Sequence, residues 1–270
     1  MENIMFEPQT FFDLTEFAYG DLFDEKDQVW SGLRNLKSYL ENNVDKLLVH
    51  ELLINGNPLN EPLVLHNSEW GPASDCRIEY DDVTKGGLTV IRDGVKLHGA
   101  SLIMAGATIL GSHIRIGKGV LVESGAWIRE PVIIDDHSEV RQGAYVRGHC
   151  IVGKRCVVGH ATEVKHSIFL NDAKAGHFAY VGDSILGCDV NLGAGTTMAN
   201  LRFIKGEVQI KSPEGMVGTG LRKLGAILGD RVQTGCNSVT SPGTLIGPDS
   251  FLMPNVTAPS GYHKAKSVIR

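Results

Sequence analysis

A chain of 270 residues, 42% of them hydrophobic, can bury a substantial core in one domain or two, and its 32 glycines suit a fold made of tight corners. Its net charge of −5 supplies no basic stripe to neutralise a phosphate backbone, which excludes general nucleic-acid binding. No segment approaches transmembrane length, so membrane insertion is not expected either.

Met1 to Pro8 carries two acids and no base, unlike the basic start of a signal peptide, and a cytoplasmic location is the expectation. Trp30, Leu33, Leu36, Tyr39 and Leu40 are spaced as one face of a helix ending near Asn43, with Asp27 as its N-cap. From Leu47 to Tyr80, Asn-Gly-Asn-Pro and Trp-Gly-Pro signal irregular structure. We read residues 1–94 as a cap region with one helix, closing the open end of the domain that follows.

That domain is expected over residues 95–259. Aliphatic or Met residues recur every six positions at Met104, Leu110, Ile116, Val122, Ile128, Ile134, Val140, Val146, Val152, Val158 and Val164, a period of neither helix nor strand. Small or aliphatic residues follow four positions later, among them Ala126, Cys150, Cys156, Thr162 and Ile168. This is the hexapeptide β-helix pattern. It continues through Phe169, Ala175, Val181, Leu186, Leu192 and Met198, with one residue missing after Val164 and another after Val181, and resumes at Leu228, Thr234, Thr240, Ile246 and Leu252. Three hexads per coil give about seven coils and a triangular prism roughly 35 Å tall.

Residues 201–222 interrupt the repeat, and Lys-Gly-Glu between short alternating segments predicts a hairpin projecting from the prism. Residues 260–270 carry Lys264, Lys266 and Arg270 and are expected as a solvated basic tail. The cysteines, Cys76, Cys150, Cys156, Cys188 and Cys236, lack metal-type spacing and read as reduced core residues.

Residues about eighteen apart stack on one face. Arg147 and Lys165 therefore lie one coil apart, about 4.8 Å, as outward cations. Either each meets water or a neighbouring acid such as Glu163, or together they hold a phosphate. His177 lies on another face, between His160 and Ala194 on adjacent coils. Asn191 to Gly195, NLGAG, would let a ligand approach backbone N–H groups. Transfer of an acetyl group from a thioester to an amine needs a proton acceptor and a stabilised oxyanion, and imidazole can accept that proton near neutrality.

Lys165 with Glu163, then KAGHFAYVGD and DVNLGAGTTMAN, resemble the acetyltransferase domain of bifunctional N-acetylglucosamine-1-phosphate uridyltransferases. NLRF, RKLGAILGD and TGCN are similar to the version in archaeal-type sugar-1-phosphate nucleotidylyltransferases. The resemblance covers residues 100 to 257 and implies a left-handed parallel β-helix, mainly β. It also implies acetyl-CoA as co-substrate, no metal, and a homotrimer. By position, it places the catalytic base on His177, its supporting carboxylate on Glu163, and an N–H for the acetyl oxygen on Ala194. Sugar-phosphate contacts fall on Arg147, Lys165, Tyr180, Asn191 and Asn200, and on Lys223 when residues 202–222 are treated as an insertion. Coenzyme contacts fall on Ala194, Cys236 and Pro254, with Cys236 replacing a serine of that pattern.

No Gly-rich nucleotide loop opens the chain, so the expectation is N-acetylation of an amino-sugar 1-phosphate without nucleotidyl transfer, with a separate nucleotidyltransferase as a possible partner. Two other readings remain. One is a non-catalytic sugar-phosphate scaffold. The other is a carbonic-anhydrase-like zinc enzyme, against which stands the spacing of His149, His160, His166 and His177.

Overall fold

The computed structural model describes residues 6–44, 55–212 and 215–270. Three sheets form the sides of a prism, with nine, eleven and eight strands. We call them the lysine face, the histidine face and the isoleucine face, after Lys165, His177 and Ile168. The chain visits histidine, lysine and isoleucine faces in turn on every coil, each strand pairing in parallel with the one a coil away.

The hexad residues from Ile116 to Val164 point inward into one continuous core. Val122, Ile128, Ile134, Val140, Val146, Val152, Val158 and Val164 are fully buried. Each contributes about 1.5–3 kcal/mol by leaving water. Met104 and Leu110 do not hold the expected inward positions. Ile103 and Ile109 do, pairing with Val122 and Ile128. One additional residue sits in the corner at Gly111, Ser112 and His113. There the Glu130 carboxylate accepts the N–H groups of Ser112 at 2.6 Å and His113 at 2.8 Å.

Ile168 also departs from expectation. Ser167 and Phe169 pair with Cys150 and Val152, while Ile168 pairs with Ile151 and faces out. Beside it, Ile133, Ile185, Ile227 and Leu245 complete an outward apolar column, and the N-terminal segment covers it. Phe6, Phe11, Trp30, Leu33, Leu36 and Leu40 are all at most 1% exposed against this face. The cap therefore lies along a flank, because the isoleucine face is apolar on both sides and must be covered. The end of the prism is closed instead by strands Asn55–Pro58 and Leu63–His66, which pair antiparallel with Thr108–Leu110 and Ser101–Ile103. Within the stretch expected to be irregular, strands Glu69–Pro72 and Cys76–Glu79 also form, while residues 47–54 lie outside the described ones.

The helix runs from Ser31 to Asn43, and the described residues add an α-helical turn at Pro8–Phe11 and 3-10 turns at Gly20–Leu22 and Val83–Lys85. Trp30, not Asp27, is its N-cap, without a side-chain hydrogen bond. The Asp27 carboxylate instead accepts the adjacent Gln28 N–H at 2.6 Å.

Residues 201–222 do contain a hairpin, Gln209–Ser212 with Gly215–Gly218, beyond the Lys-Gly-Glu segment rather than around it. It does not project. Val208 and Ile210 are fully buried with Ile227 and Leu245, which lays the hairpin against the isoleucine face. The expected basic tail is also part of the prism, since Gly261–His263 and Val268–Ile269 pair with Thr244–Ile246 and Phe251–Leu252. With these strands and Ser101–Ile103, the histidine face stacks nine parallel strands, more than the seven coils expected. Cys150 and Cys156 are core residues, but Cys236 is exposed and Cys76 and Cys188 are half-buried. No described helix is long and apolar enough to cross a membrane.

Candidate functional site

Two groups of polar residues occupy opposite edges of the lysine face, about 10 Å apart at the strand rise. At the edge shared with the isoleucine face, the pairs Tyr145 with Glu163 and Val146 with Val164 bring Arg147 and Lys165 onto successive coils. Their charges are compensated. Arg147 donates to the Glu163 carboxylate at 2.7 Å, and Lys165 donates to both Asp183 oxygens at 3.0 and 2.9 Å.

Asp183 was not singled out from the sequence, yet it is the centre of this group. Its side chain is 7% exposed and also accepts from Asn200 at 2.5 Å, with His166 Nδ1 at 3.1 Å. Burial pushes its carboxyl up, but the contacts with His166 and Lys165 outweigh this and hold it below the usual carboxylate range. Asn200 also donates to the Tyr180 hydroxyl at 3.1 Å. Lys223 bridges Leu201, closing the base of the insertion beside Asn200. Arg147, Lys165, Asn200 and Lys223 thus share one edge of the lysine face, and Glu163 and Tyr180, paired with each other at the start of their strands, join them through side-chain hydrogen bonds to Arg147 and Asn200.

At the other edge, His160 and His177 are paired across adjacent strands. Backbone hydrogen bonds continue the column, Gly195 N–H to His177, Asn237 N–H to Ala194 and Asn255 N–H to Cys236, so His177, Ala194, Cys236 and Pro254 follow one another coil by coil. His177 is exposed, and its ring makes no hydrogen bond to a described residue. His160, by contrast, donates from Nδ1 to the Gln142 carbonyl at 2.8 Å. Beside His177, Phe178 adopts φ 53°, uncommon for an aromatic residue, and is 58% exposed. Among the described residues no hydrogen bond or ion pair joins Glu163 to His177; the Glu163 carboxylate is bound to Arg147.

A groove of about 650 Å³ runs along the histidine face past His177, Asn191, Ala194 and Cys236, with Lys174 and Arg141 in its floor. Its far wall is Asp81, Asp82 and Thr84, from the segment preceding the prism, which sequence reasoning had treated as cap alone. Lys85 holds the Asp82 carboxyl down to about 2. Pro254 lies beyond the groove. Asn191, expected with the sugar-phosphate residues, belongs to this second group, in register with Lys174 and Gln233. The four histidines divide in two: His149 and His166 meet at 6.3 Å at one corner, away from His160 and His177. Among the described residues no three His, Cys, Asp or Glu side chains converge as metal ligands.

Residues 128–235 match the family described as the GMPPB C-terminal domain. A bifunctional sugar-1-phosphate nucleotidylyltransferase/acetyltransferase of Sulfurisphaera tokodaii is 37% identical over 151 residues, 49% of this chain and 38% of its own. The bifunctional protein GlmU of Methanococcus vannielii is 36% identical over 47% of this chain and 30% of its own. That of Nostoc is 29% identical over 68% and 39%. These are homologues of about half to two-thirds of this chain, which spans under two-fifths of each relative's length. Among solved structures, a variant of the perosamine N-acetyltransferase from Caulobacter crescentus, in complex with CoA and GDP-perosamine, shares 16% identity over 62% of this chain and 50% of that one, with a TM-score of 0.27.

Proposed function

We propose that the chain is an acetyl-CoA-dependent N-acetyltransferase acting on an amino sugar that carries a phosphate on its anomeric carbon, glucosamine 1-phosphate being the simplest case. The observation that carries the reading is His177, exposed and without a hydrogen-bond partner among the described residues, in the groove column that continues to Ala194 and Cys236. The homology of this half of the chain to sugar-phosphate acetyltransferases supports the same reading.

In this mechanism His177 accepts a proton as the amine attacks the thioester carbonyl. The N–C bond forms, the C–S bond breaks, and the departing thiolate takes a proton. A backbone N–H near Ala194 meets the developing oxyanion, and no covalent enzyme intermediate is needed. Arg147 and Lys165 hold the phosphate by charge-assisted hydrogen bonds. Since the two groups lie on different edges of one prism, we assign the complete site to a homotrimer, in which the cationic edge of one subunit faces the groove of the next.

Single-turnover acetyl transfer to glucosamine 1-phosphate tests the proposal. His177→Ala is expected to lose about 10²–10⁴ in rate while keeping fold, assembly and substrate binding. An unchanged rate would remove the base assignment, and no turnover by the wild type would return the scaffold reading to first place.

A further inference from the structure

The cationic edge does not stop at Arg147. Ile128 pairs with Val146 as Val146 pairs with Val164, so Arg129, Arg147 and Lys165 follow one another on three successive coils. Glu163 compensates Arg147 and Asp183 compensates Lys165. Arg129 is exposed, with no ion-pair partner among the described residues. It is the uncompensated charge of the column.

Two residues before Arg129 stands Trp127, 44% exposed, paired with Tyr145 on the next coil. The two rings stack with centroids 5.0 Å apart and planes 20° from parallel. The Arg147 guanidinium lies 5.7 Å from the Tyr145 ring centre. An outward Trp on a β-helix contributes nothing to the core and leaves a flat apolar face in water. Here it is held flat, in register with Glu163 and directly beside the unpaired cation.

We infer that this surface is a nucleoside diphosphate subsite, and that the acceptor is a nucleotide-linked amino sugar. The inference rests on the proposed acetyl transfer only for the sugar end of that ligand. Three cations at about 4.8 Å intervals span more than one phosphate needs and suit a diphosphate. A base stacked on Trp127 then supplies the contact that a bare sugar 1-phosphate would leave unused, because stacking tolerates any base and needs only a flat aromatic face. The sugar is thereby directed toward Tyr180 and Asn200, on the coils beyond Lys165.

Isothermal titration of the full-length protein with uridine diphosphate, guanosine diphosphate and inorganic pyrophosphate tests this without any acetyl donor. At least one nucleoside diphosphate should bind five-fold or more tighter than pyrophosphate. Trp127→Ala should abolish that advantage, a loss of about 5- to 150-fold, while leaving pyrophosphate affinity unchanged. Arg129→Gln should weaken nucleoside diphosphate and pyrophosphate together and leave glucosamine 1-phosphate binding intact. The inference is overturned if neither nucleotide exceeds pyrophosphate on the wild type. It is equally overturned if Trp127→Ala lowers the oligomer mass, which would make the aromatic pair a contact between copies. Acetylation of glucosamine 1-phosphate with no nucleotide binding would sink the subsite and leave the proposed activity standing. Nucleotide binding without acetylation would do the reverse.

Discussion

Replacing Asp183 by Asn tests the buried carboxylate on which the cationic edge is organised. Asn keeps the size of the side chain and tolerates the left-handed backbone, φ 49°, that Asp183 occupies. What it removes is the charge facing Lys165, His166 and Asn200. Breaking a buried ion pair by deleting one partner costs about 3–5 kcal/mol. Lys165 keeps 27% of its side-chain exposure and can turn toward water, so we expect about 2–3 kcal/mol, at and below the bottom of that range. The sign with pH follows from the depressed carboxyl of the folded state. A carboxylate whose pKa is lowered by folding stabilises the protein above its unfolded value, about 3.9, and the contribution disappears as pH falls through the lower folded value. Urea denaturation at fixed protein concentration should therefore show a full gap between wild type and variant at pH 7 and at pH 5, narrowing below about pH 4. A gap under about 0.5 kcal/mol at pH 7, the ordinary range for a surface change, would refute the reasoning. So would a gap as large at pH 3 as at pH 7.

Arg147→Ala and Lys165→Ala should each weaken binding of an amino-sugar 1-phosphate by about 1.5–3 kcal/mol and leave acetyl-CoA affinity unchanged; calorimetry with each ligand separates the two, and coenzyme loss alone would reassign the column. Ile168→Ala should cost about 2–5 kcal/mol in urea, because the fully buried Ile168 joins the prism to the N-terminal helix. An unchanged midpoint would mean that the helix does not stabilise the isoleucine face.

The inward half of the fold could be read from the chain because burial is forced about every sixth residue and Val or Ile fills every such position from Ile116 to Val164. The outward half of the isoleucine face was equally available and was missed. Val132–Ile134, Cys150–Ile151–Val152, Ser167–Ile168–Phe169 and Ala226–Leu228 have no polar residue between their inward positions, the mark of strands buried on both sides. That pattern calls for a covering layer on a flank, and the amphipathic helix Ser31–Asn43 is the obvious candidate for it. Corners were harder. Gly111, Ser112 and His113 fit a turn of one length as well as another, so nothing in them announced the added residue that displaced Met104 and Leu110 from the core.

At the candidate site the changed count is legible in the hexads, and what was missed is its consequence for Asp183. Between Lys165 and Asp183 there are eighteen positions, yet Lys165 pairs across the sheet with Gly182, seventeen away. A column counted in eighteens finds Arg147 above Lys165 correctly, but only five positions separate Val164 from Phe169, and that shortening, visible in the sequence, sets Gly182 opposite Lys165. The shortened coil puts Asp183 one residue past the strand instead, at a left-handed corner where its carboxylate can turn back under the Lys165 ammonium. The missing residue is thus what makes the buried ion pair geometrically possible. A coil of full length would hold the same two residues in register as neighbours on one face, with both side chains directed straight outward into water.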